Sequence, residues 1–225
     1  MSTSHRPTRY FTRFLLLLGI WVIAPAQALE VKLTPTLPEF AVQHAEKSIS
    51  IKRNQDTGAM LMFDFARTSR PCPPFCAQPM QLADGVRTIG EVELFNFMQN
   101  DLPAGSGLLI DARTPDWFER GTIPGSINIP FTHLNPAQGA DEITLEESLH
   151  RLGVGGTAEG WDFSQAKTLV LWCNGPWCGQ SPTAIKGLLS IGYPADRLLY
   201  YRGGMQLWQI FGLPVVSPDG ELLDL

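Results

Sequence analysis

The sequence predicts an α/β domain of three layers, in which helices cover both faces of an open, mostly parallel sheet, preceded by a small N-terminal extension. Two patterns support this prediction. From residue 85 onward, short apolar runs alternate with segments in which apolar residues recur at helical spacing, as in successive βα units. The run at residues 168–172, TLVLW, is apolar at nearly every position, which is typical of a strand buried on both faces.

The order of the elements follows from these runs and from helix-capping residues. Thr144 lies three residues before Glu147, which is the spacing of a capping box, and Ser181 precedes Pro182 in the first turn of a later helix. We therefore expect Thr144 and Ser181 to be N-caps. The expected strands are residues 107–111, 126–129, 168–172 and 198–201, and the expected helices are residues 90–100, 144–152, 181–191 and 204–211.

Residues 29–80 have a different character, because several prolines surround one alternating run, SISIK at residues 48–52. The alternation predicts a strand, and the turn sequence DTG at residues 56–58 favours a hairpin with residues 60–65. We expect residues 29–80 to form an N-terminal extension and residues 81–220 to form the main domain.

Residues 1–28 have the pattern of a secretory signal peptide. Three arginines precede an apolar run at residues 14–23, and the small-residue sequence AQA follows at residues 26–28. The apolar run is shorter than the roughly 20 residues that span a bilayer, so cleavage after Ala28 is expected, with an uncleaved membrane anchor as the alternative. The predicted location is the periplasm of a Gram-negative source, or another exported location.

The charge balance excludes two classes of partner. The chain has 17 Lys and Arg against 22 Asp and Glu, and the leader contains three of the basic residues and none of the acidic ones. The mature chain would therefore have 14 basic and 22 acidic residues, a formal charge of −8. Nucleic acid and anionic membrane surfaces both require clustered basic residues, so we expect neither as a partner.

Cys173 stands where chemistry is expected in an open α/β sheet. It follows the buried run at residues 168–172, and ligands in such folds bind beyond the carboxyl ends of the strands. The loop after it leads directly into a helix, whose unpaired N–H groups and dipole stabilise an anion. We therefore expect the pKa of the Cys173 thiol to lie below its free value of about 8.5, with a thiolate as the resting form.

Four ordered motifs resemble the rhodanese family. Residues 109–115, LIDARTP, and 121–130, GTIPGSINIP, are similar to the strand, Asp-x-Arg and Gly-His-Ile-Pro-Gly-Ala elements of rhodanese domains. Cys173 with its loop, and then residues 203–215 with their Gly-Gly, Trp and Gly-Leu-Pro-Val features, resemble the rest of the pattern. The resemblance covers residues 81–217 and implies a three-layer rhodanese-like domain.

The resemblance also implies an activity and a set of site residues. A thiosulfate sulfurtransferase of this kind carries sulfane sulfur as a persulfide on one cysteine, here Cys173, without a cofactor or metal. Asp111 and Arg113 would brace the neighbouring loops. Apart from the resemblance, Arg202 lies beside Gly203 and Gly204 at another strand end, where it is a candidate cation for the site, with a surface arginine as the alternative. The loop expected to bind the persulfide and substrate comprises Asn174, Gly175, Pro176, Trp177, Cys178, Gly179, Gln180 and Ser181.

Three departures from the family pattern affect these expectations. Thr122 replaces the usual His, at a position that is more often structural. The Cys173 loop is about two residues longer than the common form, and a longer loop could admit a bulkier donor. It also lacks Arg and Lys, so binding of a dianionic donor should be weaker, and a phosphatase, which needs an arginine to clamp phosphate, is disfavoured.

The remaining cysteines have several interpretations. Cys178 is five residues after Cys173 and could form a disulfide with it, act as a resolving thiol, or be passive. Cys72 and Cys76 flank a Pro-Pro pair, which favours a local disulfide, with a second redox centre near the Cys173 loop or a Cys₄ zinc site as alternatives.

Three functions therefore compete at the level of sequence. The first is a sulfurtransferase that moves sulfur from a small sulfur-containing anion to a thiol acceptor, with a protein sulfur-acceptor or redox partner. The second is a thiol redox protein that uses Cys173 and Cys178 together with Cys72 and Cys76. The third is a non-catalytic binding module on the same scaffold, since fold alone does not determine function.

Overall fold

The computed structural model describes residues 30–61 and 63–223, and its centre is a five-stranded parallel sheet. The strands are β3 (Arg87–Ile89), β4 (Gly107–Asp111), β5 (Ser126–Asn128), β8 (Thr168–Trp172) and β9 (Leu198–Tyr201). Their spatial order is β3-β9-β8-β4-β5, with every pair parallel. The two smaller antiparallel pairs are β1 (Glu39–His44) with β2 (Lys47–Lys52), and β6 (Gly155–Thr157) with β7 (Gly160–Asp162).

Helices cover both faces of this sheet, which confirms the predicted three layers. The helices are α1 (Phe63–Ala66), α2 (Glu91–Asn100), α3 (Pro115–Glu119), α4 (Glu142–Arg151), α5 (Gln180–Ser190) and α6 (Gly204–Ile210). Side chains of α2 and α6 pack with one set of strand residues, and side chains of α4 and α5 pack with the alternate set. In β8, Val170 and Trp172 face the first layer, whereas Leu169 and Leu171 face the second.

The two predicted N-caps are wrong by a few residues. Asp141 caps α4, because its carboxylate accepts a hydrogen bond from the Thr144 amide at 2.7 Å, so Thr144 is the third helical residue. Gly179 precedes α5, and Ser181 lies inside its first turn. The Ser181 hydroxyl is instead directed at a cysteine sulfur, which leaves it free to take part in the site.

The extension forms a hairpin, but with a different partner from the predicted one. β2 pairs with β1, and residues 63–66 are helical although the turn at residues 56–58 is present. The β1–β2 turn has no recognisable turn sequence, because the residue in the left-handed backbone conformation is Ala45, with φ 50°, and glycine or asparagine is usual at such a position. Val42, Ile49 and Ile51 are buried in the same core as α2 and α6, so the hairpin packs against the main domain. The division at residue 80 stays a prediction.

A buried histidine joins the hairpin to two loops of the domain. His44 Nδ1 accepts a hydrogen bond from the Gly125 amide at 3.1 Å, which places the ring hydrogen on Nε2, 3.2 Å from the Ser217 carbonyl oxygen. Burial removes solvation of the charged ring and lowers the pKa of His44 below 6.5. The neutral ring is therefore the form that holds the hairpin in place.

The predicted signal peptide lies outside the described residues. Within residues 30–61 and 63–223, no helix has the length and apolar character needed to cross a membrane.

Candidate functional site

Cys173 follows directly after the central strand β8 and is buried, with 2% of its surface exposed. Its carbonyl oxygen accepts a hydrogen bond from the Met205 amide at 2.9 Å, which ties the loop to the start of α6. The close approach requires glycine at position 204, where φ is 54° and a side chain would meet the Gly175 amide nitrogen at 2.8 Å. The Gly-Gly motif therefore positions the Cys173 backbone.

The Cys173 sulfur forms a disulfide with Cys178, and the two Cα atoms are 6.2 Å apart. That separation is within the range that a disulfide can bridge. The expectation of a resting thiolate is therefore wrong for this state of the protein, because the sulfur is oxidised. Cys178 is also buried, with 4% of its surface exposed, so neither sulfur of this pair is open to solvent.

One hydroxyl group is positioned to stabilise the Cys173 sulfur. The fully buried Ser181 places its Oγ 3.1 Å from Cys173 Sγ, and Ser181 is in the first turn of α5. Among the described residues, no backbone amide donates a hydrogen bond to this sulfur, and the Cys178 amide donates to the Gly175 carbonyl oxygen at 2.9 Å. The unpaired N–H groups that we expected to stabilise this sulfur thus donate no hydrogen bond to it in the disulfide form, and the Ser181 hydroxyl contacts it instead.

Asp111 and Arg113 form a buried ion pair under the loop, with exposed fractions of 0% and 1%. The guanidinium donates to both carboxylate oxygens, from Nε at 2.8 Å and from Nη2 at 2.6 Å. Its Nη1 reaches Asn174 Oδ1 at 3.2 Å, and Thr122 Oγ1 donates to Asp111 Oδ2 at 2.9 Å. The pair therefore connects two loops to Asn174, in agreement with the bracing role implied by the family resemblance, and Thr122 belongs to the same network.

The extension covers the Cys173 loop. The Gln78 amide donates to the Pro176 carbonyl oxygen at 2.8 Å, and the Phe75 ring meets the Trp177 ring edge-to-face at 5.6 Å between centroids. The Arg70 guanidinium lies 3.8 Å from the centre of the Trp177 ring. Trp177 therefore contacts the extension, a role that the sequence did not predict.

Arg202 also binds the extension, since its Nε donates to the Gln78 carbonyl oxygen at 2.9 Å. The sequence gave two alternatives for this residue, a cation for the site and a surface arginine, and the cation role stays a prediction. Gln206 completes the connection, because it accepts from Trp177 Nε1 and donates to the Phe65 carbonyl oxygen, each at 2.8 Å. Sequence reasoning missed Gln206 and Gln78, and neither has a local motif that could have revealed it.

A second disulfide joins Cys72 to Cys76, with Cα atoms 4.7 Å apart. Cys72 is exposed and Cys76 is half-buried. All four cysteines are therefore paired, so none can ligate a metal in this state. Among the described residues, no group of three His, Cys, Asp or Glu side chains is arranged to hold a metal ion.

Two cavities, of about 960 and 330 Å³, lie on the α6 side of the described structure. The larger is bordered by β2 and the end of α6, and the smaller by Arg113, Trp117 and Met205 among others. Neither is lined by Cys173 or Cys178. In this oxidised form the sulfur is therefore closed off from both.

Comparison with known proteins places the domain in a family. The family model described as "Rhodanese-like domain" matches residues 95–210, slightly more than half of the chain. A sulfurtransferase of Allochromatium vinosum is 27% identical over 132 residues, covering 59% of this chain and 99% of that protein. The HTH-type transcriptional regulator Rv0324 of Mycobacterium tuberculosis is 29% identical over 112 residues, covering 50% of this chain and 38% of the regulator.

Among solved structures, the human single-domain sulfurtransferase TSTD1 aligns with a TM-score of 0.37 and 23% identity, covering 55% of this chain and 95% of that one. The family match covers the sheet from β4 to β9, the Asp111–Arg113 pair and the whole Cys173 loop. The chain belongs to the rhodanese-like domain family.

Proposed function

We propose that the protein is a rhodanese-type sulfurtransferase in which Cys173 carries sulfane sulfur as a persulfide. The observation that carries the proposal is the place of Cys173, at the end of the central strand with Ser181 Oγ 3.1 Å from its sulfur in the first turn of α5. The family membership and the similarity to a protein named as a sulfurtransferase support the same activity.

The proposed reaction has two displacement steps. The Cys173 thiolate attacks the sulfane sulfur of a donor such as thiosulfate, forming Cys173–S–S⁻ and releasing sulfite. A thiophilic acceptor, such as a thiolate, then attacks the outer sulfur, takes it away, and restores the Cys173 thiolate. The donor supplies the transferred sulfur in its final oxidation state, so the reaction needs no cofactor.

The charges around the loop favour the persulfide anion more than a dianionic donor. The Ser181 hydroxyl and the positive end of α5 both stabilise a negative sulfur. The loop has no Lys or Arg, and the Arg113 guanidinium is already paired with Asp111. We therefore propose that thiosulfate binds weakly and that a less charged persulfide donor is the better substrate.

Before it can accept sulfur, Cys173 must be released from Cys178. Reduction of the disulfide takes two electrons and two protons from a dithiol, and it yields the two thiols. The oxidised protein is therefore a protected form of the proposed enzyme. We propose that it acts in an oxidising, exported compartment, where such a form persists.

An assay of sulfur transfer from thiosulfate to cyanide, in which the thiocyanate product is measured, tests the proposal. The reduced wild type should produce thiocyanate, and Cys173→Ser should not. Cys178→Ser should turn over without added reductant, because it cannot form the protecting disulfide. Production of thiocyanate by Cys173→Ser at the wild-type rate would remove the basis of the proposal.

The observed Cys173–Cys178 disulfide also favours a second candidate, a thiol redox protein. In that function the pair exchanges two electrons with a partner dithiol and takes up no sulfur. Rapid reduction and oxidation of the pair, together with no persulfide on Cys173 after exposure to thiosulfate or to a low-molecular-weight persulfide, would identify this function instead.

A further inference from the structure

The two disulfides differ sharply in their access to other molecules. The Cys173–Cys178 pair is buried, with exposed fractions of 2% and 4%, and the extension covers its loop. Cys72 is exposed and Cys76 is half-buried. Thiol–disulfide exchange requires a thiolate to reach a sulfur atom directly. A protein reductant can therefore reach the outer disulfide but not the inner one.

The short segment that follows the outer disulfide contacts the loop that contains the inner one. Gln78, two residues after Cys76, donates its amide to the carbonyl oxygen of Pro176, two residues before Cys178. The Gln78 side chain folds back, with Nε2 donating to the Cys76 carbonyl oxygen at 2.9 Å. The same Nε2 lies 3.8 Å from where a side chain on Gly179 would begin. Cys76 and Cys178 are thus on adjoining segments held in contact.

We propose that Cys72 and Cys76 form the electron-accepting site for a protein dithiol, and that they pass its electrons to the Cys173–Cys178 disulfide. The biological role of this relay rests on the proposed function, because the relay frees Cys173 to accept sulfur. The electron transfer itself is a separate redox activity, and it is measured by which cysteines are thiols and which are in disulfides.

Each step of the relay balances. The partner's thiolate attacks Cys72, its second thiol resolves the mixed disulfide, and the partner leaves oxidised while Cys72 and Cys76 become thiols. Cys76 then attacks Cys178, which forms a Cys76–Cys178 bond and releases Cys173 as a thiolate. Cys72 attacks Cys76, which re-forms the outer disulfide and releases Cys178, so two electrons and two protons have moved inward.

The structure favours attack on Cys178 over attack on Cys173. Exchange is faster when the leaving thiol has a low pKa. Cys173 is the better leaving group, because Ser181 Oγ lies 3.1 Å from its sulfur in the first turn of α5. Cys178 also directly precedes Gly179, where an added Cβ would lie 3.8 Å from Gln78 Nε2 of the extension.

The direct test compares two reductants on the oxidised full chain. Thioredoxin, kept reduced by its reductase, is the protein dithiol, and dithiothreitol is the small one; alkylation followed by peptide mass analysis reads the state of each cysteine. In the double variant Cys72→Ser/Cys76→Ser, reduction of Cys173–Cys178 by thioredoxin should slow at least about tenfold, while reduction by dithiothreitol should change less than about twofold. Equal rates with thioredoxin in wild type and variant would overturn the relay.

The double variant also distinguishes the relay from a purely structural role, in which the outer disulfide only holds the extension over the Cys173 loop. If the outer disulfide only holds the extension over the loop, its removal should speed reduction by both reductants, and that result overturns the proposal. The thiol readout needs no sulfur donor, so failure of the relay and failure of the sulfurtransferase proposal are distinguishable.

A matched pair of single variants tests the internal step. In Cys72→Ser, the free Cys76 thiol should attack Cys178 without any added reductant, giving a Cys76–Cys178 disulfide and a Cys173 thiol that alkylates. In Cys76→Ser, Cys72 should alkylate and Cys173–Cys178 should stay intact. An intact Cys173–Cys178 disulfide in both variants would show that Cys76 does not reach Cys178, and would overturn the relay.

Discussion

The buried Asp111–Arg113 pair gives the sharpest prediction for stability. Asp111→Asn keeps the shape of the side chain but removes the charge that balances Arg113, which is only 1% exposed. Removing one partner of a buried ion pair leaves an uncompensated charge and typically costs about 3–5 kcal/mol. This pair is of that buried, fully hydrogen-bonded kind, because the guanidinium makes two contacts with the carboxylate at 2.6 and 2.8 Å and the Thr122 hydroxyl donates to the same carboxylate.

The matched control is the Arg120–Asp64 ion pair, whose side chains are both 63% exposed. An exposed pair contributes about 1 kcal/mol or less, so Asp64→Asn should leave the free energy of unfolding nearly unchanged. Urea unfolding of Asp111→Asn, Asp64→Asn and the wild type, each with its disulfides reduced, measures the difference in the free energy of unfolding. Equal losses for Asp111→Asn and Asp64→Asn would refute the reasoning that Asp111 neutralises a buried charge under the site.

Three further predictions follow from single contacts. Ser181→Ala removes the hydroxyl that lies 3.1 Å from the Cys173 sulfur, so less of the reduced cysteine should be thiolate and its alkylation at neutral pH should slow by roughly tenfold; the alkylation rate, measured in the Cys178→Ser background, tests this, and an unchanged rate would contradict the role of the hydroxyl. Burial lowers the pKa of His44, so as the pH falls the histidine is protonated in the unfolded state before it is protonated in the folded state. The contribution of the neutral ring to the free energy of unfolding is therefore fully present above about pH 6.5 and is lost as the pH falls below that value. Unfolding curves between about pH 8 and pH 5 should show this decline, and a variant His44→Gln should show a smaller one. Gly204→Ala places a residue with a side chain in the left-handed backbone conformation and puts its Cβ against the Gly175 amide nitrogen. The free energy of unfolding should therefore fall by more than about 1 kcal/mol. An unchanged free energy in urea unfolding would show that the loop has room to shift.

Much of the domain could be predicted from sequence because its signals are local. The runs that became β4, β8 and β9 are apolar and short, and their bounds agree with the prediction. The position of Cys173 follows from the same logic, since a buried strand ends and a helix begins within a few residues. The bracing role of Asp111 and Arg113 came from the family resemblance, and the buried ion pair agrees with it.

The parts that sequence did not predict depend on contacts between distant residues. The strand β1 pairs with β2 through a turn at Ala45, which has no glycine or asparagine to mark it. The cover over the loop depends on Phe75 and Gln78 meeting Trp177 and Pro176, about a hundred positions later in the chain. No periodicity or motif encodes such a contact.

The state of Cys173 is a further case. The start of a helix after the Cys173 loop predicted a stabilised thiolate. A neighbouring cysteine at a bridgeable distance instead allows a disulfide, with Cα atoms 6.2 Å apart. The sequence identified this pairing as one alternative, but the spacing alone could not decide between a disulfide, a resolving thiol and a passive cysteine.

The most direct measurement is the peptide mass of Cys173 after the reduced protein, freed of reductant, meets thiosulfate or a low-molecular-weight persulfide. Wild type and Cys178→Ser should be measured together, because a Cys178 thiol can attack the persulfide and release its sulfur as sulfide. A gain of one sulfur atom on Cys173, longest-lived in Cys178→Ser, is the predicted result. If neither protein gains sulfur on Cys173 with either donor, Cys173 is not a sulfur carrier and the proposed function is wrong.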